Sequence, residues 1–139
     1  MILLDTNVLS ALMRQTPEPE AVTWLDRQPR SSIWTTAITV FEIRFGLQIL
    51  PYGKRRSLLI RAFEQLLTDI LQDRVVPFDG AAAQHAADAM AARQKKGRAI
   101  ELRDAMIAGI VLASSATLST RNVKHFGDLP IKLVNPWEP

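Results

Sequence analysis

Cysteine is absent from the 139 residues, which excludes disulfides, thiolate nucleophiles and Cys-ligated zinc. Two histidines are too few for a His-rich zinc site, so any bound metal must rest on oxygen ligands. No apolar run approaches the ~18 residues needed to span a bilayer. The most apolar stretch, Ala105 to Ala113, stops at Ser114-Ser115. A basic n-region is also lacking, since Met1-Ile2-Leu3-Leu4 runs straight into Asp5; this predicts no signal peptide and a cytoplasmic protein. Internal repeats, low-complexity tracts and linkers are missing, so residues 1–139 are expected to form a single domain. Hydrophobic residues make up 47% and charged residues 22%, a balance that excludes disorder as the chain's main character. The net charge of +3 permits a polyanionic partner without requiring one.

What is present is an alternation of short apolar runs with longer amphipathic ones. Ile2-Leu3-Leu4 has no polar alternation, as expected of a strand covered on both faces. Asp5-Thr6-Asn7 favours a helix start, with Val8 to Met13 as the helix. Thr16-Pro17-Glu18 opens a second helix that runs through Trp24 and Leu25, and Ser31 to Thr36 reads as a second strand. Helices are then expected over Ala37 to Leu50 and Lys54 to Leu71, the latter with an i, i+3, i+4 apolar stripe from Leu58 to Ile70. Val75 to Phe78 reads as a strand. Asp79 caps an Ala-rich helix to Lys96, and Gly97 stands where a C′ glycine belongs. One more helix, Glu101 to Ser114, precedes two short strands at Thr117 to Ser119 and Ile131 to Val134. Strands separated by helices predict a three-layer α/β/α sandwich with a mostly parallel central sheet.

Three carboxylates stand out by context. Asp5 closes the first strand, at the carboxyl end where parallel sheets place their ligands. Glu42 lies among Ile38, Val40, Phe41, Ile43 and Phe45, and Asp104 sits at i−3 from Ile107 on the apolar side of its helix. A buried carboxylate requires a partner, a proton or a cation, and converging carboxylates make a hard-oxygen site suited to Mg²⁺ or Mn²⁺. Other uses remain open for each. Asp5 can cap the first helix, Glu42 can pair with Arg44 or Arg61, and Asp104 can serve its own helix dipole or pair with Arg103 or Arg98.

The segment Ile2-Leu3-Leu4-Asp5-Thr6-Asn7 followed by Val8-Leu9-Ser10 resembles the first motif of the PIN-domain nucleases. Further motifs follow in the family's order: Thr39-Val40-Phe41-Glu42-Ile43, Asp104-Ala105-Met106-Ile107-Ala108, and Thr120-Arg121-Asn122-Val123-Lys124-His125-Phe126. The ending Val134-Asn135-Pro136-Trp137 resembles the FitB-like VapC toxins of type II toxin–antitoxin modules. This resemblance covers essentially the whole chain. It implies a PIN-like fold and a Mg²⁺-dependent endoribonuclease, with Mn²⁺ as a possible substitute, held silent by a small antitoxin and commonly homodimeric. It implies that Asp5 and Asp104 bind the metal and that Glu42 orients the metal or its water. Thr6, Asn7 and Thr120 would support the site or touch substrate, or serve as caps and turns. Asn122 stands at the fourth, often acidic, position, and His125 where many relatives carry an aspartate; both departures weaken a second cation site.

Basic residues cluster at Lys54-Arg55-Arg56 and at Arg93, Lys95, Lys96 and Arg98. Arg93 and Arg98 are candidate RNA phosphate contacts. Some of the apolar residues of the first two helices and of the helix from Ala37, including Leu12, Met13, Phe45, Leu47, Ile49 and Leu50, are expected to exceed what one core can bury, which suggests an antitoxin groove. The competing reading is a catalytically silent PIN-fold module that binds RNA or the antitoxin, favoured by Asn122. An aspartyl-phosphate enzyme is a third reading, weakened because Asn7 occupies the place of its second acid.

Overall fold

A computed structural model describes residues 1–139. Five strands form one sheet: β1 (Ile2–Leu4), β2 (Ile33–Thr36), β3 (Val75–Val76), β4 (Thr117–Ser119) and β5 (Lys132–Val134). Six α-helices connect them: α1 (Thr6–Met13), α2 (Pro19–Asp26), α3 (Ala37–Gln48), α4 (Lys54–Gln65), α5 (Gly80–Lys95) and α6 (Leu102–Ser114). The strand order is β3-β2-β1-β4-β5 with every pairing parallel. Central β1 pairs Leu4 with Thr35 on one side and with Ser119 on the other. The chain leaves β1 in one direction through β2 and β3, then returns to its other side with β4. The crevice above the carboxyl ends of β1 and β4 is therefore the switch point of the sheet, where ligands of open α/β sheets bind.

Successive strand residues point to opposite faces, and β1 shows this directly. Leu4 joins Val8, Leu9, Trp24, Ile33, Ile43, Phe63 and Leu71 in one apolar layer. Leu3 joins Ile107, Ile110, Val111, Leu118 and Phe126 in the other. These two cores on either side of one sheet make the three-layer sandwich expected from the sequence.

The second layer is tightened where α5 crosses α6. A Cβ built on Gly109 would lie 2.3 Å from the Ala82 carbonyl oxygen and 2.8 Å from the Ala86 Cβ. Only a bare glycine permits this approach, and α6 is the helix that carries Asp104. Gly109→Ala is accordingly expected to cost roughly 1–3 kcal/mol through overpacking, despite alanine's better helix propensity. Urea denaturation measures it, and an unchanged midpoint would contradict the close contact.

Several boundaries differ from the sequence reading, each for a local reason. The helix expected to reach Leu71 is α-helical only to Gln65 and ends in a π turn, Leu66–Ile70, with Leu71 N–H bonded to Leu66 O at 2.9 Å. That wider turn leads into Gln72 and Asp73, both at positive φ, before β3. The strand expected through Phe78 stops at Val76, because Pro77 has no N–H to give a ladder. Ser31 and Ser32 form a 3₁₀ turn instead of strand. Glu101 is the N-cap of α6 and not its first residue. The Gly97 reading holds: at φ 72° it follows the α5 cap residue Lys96.

The apolar surplus expected from the sequence is found on α3, whose apolar residues divide between core and surface, although Leu47 and Met13 from that group are buried. Ile43 and Leu47 are buried, whereas Phe41, Phe45 and Ile49 are 67%, 58% and 67% exposed. The Phe41 and Phe45 rings stack 6.3 Å apart on the outer face.

Candidate active site

The site is assembled from the ends of β1 and β4, the starts of α1 and α6, and the middle of α3. The ladder runs one residue past β1, with Asp5 N–H bonded to Ser119 O at 2.9 Å. This bond holds the Asp5 backbone while its side chain turns into α1. Asp5 Oδ1 accepts from Thr6 N–H at 2.8 Å, so the N-cap use left open by the sequence is real. Capping employs only part of the carboxylate: Oδ2 accepts from the Thr120 hydroxyl at 2.8 Å. Asp5 is 1% exposed, too buried to be a surface cap alone.

Glu42 reaches the same crevice from α3. Its Oε1 accepts from the Thr6 hydroxyl at 2.8 Å. It does not pair with Arg44, which bonds Glu64 instead. Asp104, in the first turn of α6, is buried beside them. One guanidinium joins all three acids. Arg103 donates from Nη2 to Asp5 Oδ1 at 2.5 Å, from Nε to Glu42 Oε1 at 2.5 Å, and from Nη1 to Asp104 Oδ1 at 2.7 Å. Nη2 also reaches the Thr6 hydroxyl at 3.0 Å. Burial opposes charge on Arg103, but the field of Asp5 and the hydrogen bonds to Glu42, Asp5 and Asp104 outweigh it and raise its pKa further.

The supporting residues expected from the sequence are placed around this centre. Asn7 Nδ2 donates to the Thr120 hydroxyl at 3.2 Å, and Asn7 Oδ1 accepts from Arg121 N–H at 3.0 Å. Asn122 meets Thr120 through its backbone N–H, at 3.0 Å from the hydroxyl oxygen. Thr6 and Thr120 thus orient carboxylates, and Asn7 fastens the loop after β4 to the start of α1. Two residues matter more than the sequence reading allowed. His125, at the position where the resemblance places an aspartate in many relatives, has Nδ1 3.3 Å from Asp104 Oδ2. Arg103 had been considered only as a partner for Asp104; its position next to a motif acid was the available signal.

The two arginines singled out for phosphate contact have different surroundings. Arg93 departs from that expectation, being 9% exposed. It bonds both oxygens of Asp128 and the His125 carbonyl, the latter at 2.5 Å. A guanidinium so engaged ties α5 to the His125 loop and has little to offer a ligand. Arg98 is exposed, with only a 3.9 Å approach to Asp128.

The donor set fits a hard divalent cation: carboxylate and hydroxyl oxygens converge, and a cation already sits between them in the form of Arg103. Three carboxylates against one guanidinium leave the centre negative. In this arrangement no three acidic or histidine side chains are grouped closely enough to hold a metal among themselves.

The PIN domain family model matches residues 2–130. A VapC ribonuclease of Sinorhizobium fredii is 38% identical over 139 residues, covering 100% of this chain and 99% of that protein. Toxin FitB of Neisseria gonorrhoeae is 34% identical over 137 residues, covering 99% of each. The crystal structure of FitAcB from the same organism superposes with a TM-score of 0.89 over 100% of both chains. A toxin–antitoxin complex from Klebsiella pneumoniae is 25% identical, with a TM-score of 0.72 over 100% of both chains. The chain belongs to the PIN-domain family, in the branch that holds the VapC and FitB toxins.

Proposed function

We propose that this protein is the toxin of a toxin–antitoxin pair and acts as a metal-dependent endoribonuclease on RNA phosphodiester bonds. The observation that carries the reading is the convergence of Asp5, Glu42 and Asp104 on one cation at the sheet's switch point. Hydrolysis of a phosphodiester needs charge neutralised on the phosphate, a positioned water and in-line geometry. Asp5 and Asp104 would hold Mg²⁺ or Mn²⁺, which supplies the charge neutralisation and the activation of water. Glu42 would accept the proton of the attacking water or orient it. Thr6 and Thr120 fix the carboxylates through the hydroxyl bonds described above, so the acids need not reorganise as substrate binds. Asn122 brings no charge to the fourth position, which supports one cation site in preference to two.

RNA is the proposed substrate, and exposed Arg98 remains a candidate for its phosphates. A small antitoxin is the proposed protein partner. It would use the apolar surface that the core leaves uncovered: Phe41, Phe45 and Ile49 on α3, and a groove of about 970 Å³ lined by Leu12, Met13, Leu58, Leu59, Leu66 and Ile70. Such a groove suits an amphipathic helix. A second copy of the chain completes the proposed assembly as a homodimer. No helix is long and apolar enough to cross a membrane.

The test is cleavage of a structured RNA pool by the chain freed of any partner, with Mg²⁺ or Mn²⁺ and with EDTA. Discrete cuts that require metal and disappear with EDTA are expected. A folded protein that binds RNA but leaves it intact in both metals would instead favour the silent binding module.

A further inference from the structure

The metal seat of a nuclease must be open to metal, yet here a side chain of the same protein fills it. We propose that Arg103 is a built-in counter-ion that competes with the divalent cation for Asp5, Glu42 and Asp104 and thereby sets the protein's metal affinity. The inference rests on the reading of this centre as a cation site and concerns what controls its occupancy.

Three observations carry it. The first is occupation of one oxygen on each of the two acids: Arg103 Nη2 takes Asp5 Oδ1 and Nη1 takes Asp104 Oδ1. These two carboxylates are the ones assigned to metal, and Glu42 is held by Nε of the same guanidinium. The second is permanence of the charge. Arginine cannot be deprotonated in proteins, so the seat is cleared only by moving the side chain. The third is a route for that movement. Arg103 is the second residue of α6, its side chain 24% exposed, and it follows the exposed Leu102. Rotation about its side-chain torsions carries the guanidinium toward solvent without disturbing the backbone that holds Asp104.

The arrangement also explains how three carboxylates share a crevice before metal arrives. Without a cation they repel one another in a partly desolvated site, and the guanidinium fork supplies a donor to each. The consequence for metal is arithmetic: a ligand that binds only the open form has its affinity reduced by the fraction of time that form exists. A seat filled by Arg103 nine-tenths of the time or more lowers metal affinity about tenfold or more.

Calorimetric titration of Mn²⁺ into the partner-free chain tests this, comparing the parent with Arg103→Gln. The glutamine variant is expected to bind Mn²⁺ at least about tenfold more tightly. Without metal its melting temperature should be lower than the parent's, and Mn²⁺ should raise that temperature more than it raises the parent's. An arginine that merely scaffolds the acids predicts the reverse, since its loss would scatter the ligands and weaken Mn²⁺. Equal or weaker binding by the folded variant therefore overturns the proposal. Where Arg103→Gln fails to fold, Arg103→Lys retains one charge without the fork. Several-fold tighter Mn²⁺ binding by that variant supports competition, and unchanged or weaker binding rejects it. Absence of Mn²⁺ binding in parent and variant alike would remove the cation site itself, an outcome distinct from equal affinities.

Discussion

Asp104→Asn is expected to lower metal-dependent RNA cleavage by more than about 100-fold while leaving the melting temperature undiminished. The asparagine amide has nearly the same shape as the carboxylate, and the surrounding donors and acceptors accept it. Its oxygen can still receive Arg103 Nη1, which lies 2.7 Å from Asp104 Oδ1. Its NH₂ would replace Oδ2, 3.3 Å from His125 Nδ1, and can donate to a neutral imidazole. What is lost is charge. Replacing a proposed direct metal ligand should exceed the 10–100-fold loss that follows removal of outer-shell partners. Asp5→Asn is a less clean experiment, since Asp5 also caps α1 and receives the Thr120 hydroxyl. Cleavage assays at saturating Mg²⁺, with thermal melts of the same samples, give both quantities. Parent-like cleavage in folded Asp104→Asn would remove Asp104 from the metal site.

The order of layers was legible from uninterrupted apolar strands and the amphipathic helices between them, because both periodicities follow directly from burial. Asp5 was legible for the same reason, as an acid ending a two-sided buried strand. Its partners were less so. Thr120 and Asn7 lie 113 residues apart yet bond to one another, and parallel pairing of β1 with β4, which brings them together, leaves no local mark in sequence. Arg103 was hidden by its ordinary appearance. A basic residue in a helical first turn next to an acid suggests a local ion pair, and nothing nearby signals that Asp5 and Glu42, 98 and 61 residues away, share it. Arg93 misled in the opposite sense. Its neighbours Lys95, Lys96 and Arg98 suggested a basic surface, but helical geometry turns Arg93 to the side that carries Ala82, Ala86 and Ala89 into the interior. The exposed Phe41 and Phe45 had a legible counterpart, since the chain carried more large apolar residues than one core could take.

Asp128→Ala is expected to destabilise the fold by roughly 2–3 kcal/mol at neutral pH, lowering the melting temperature by about 6–12 °C. The reason is the partner left behind. Arg93 remains buried and charged, keeping the His125 carbonyl but losing both carboxylate oxygens. Removing one member of a fully buried pair costs about 3–5 kcal/mol. Here Asp128 retains 24% exposure, which places the effect below that range. The pH dependence gives an independent check. The hydrogen bond from Arg93, assisted by the charges of Arg93 and Arg98, overcomes desolvation and lowers the Asp128 pKa from its ordinary value. A carboxyl group that is more acidic in the folded state adds stability above its unfolded pKa of about 3.9, and that stability is lost as pH falls through the folded value. The gap between parent and variant should therefore be full above about pH 5 and narrow steadily in more acidic solution. Urea titrations at neutral and acidic pH measure it. An equal midpoint at neutral pH, or a gap that stays constant in acid, would show that the pair does not hold this corner of the fold. The consequence reaches the active site, because Arg93 also grips the His125 backbone and His125 faces Asp104. Cleavage by the variant should fall along with its stability, with Asp104 unchanged and the loop beside it no longer fixed.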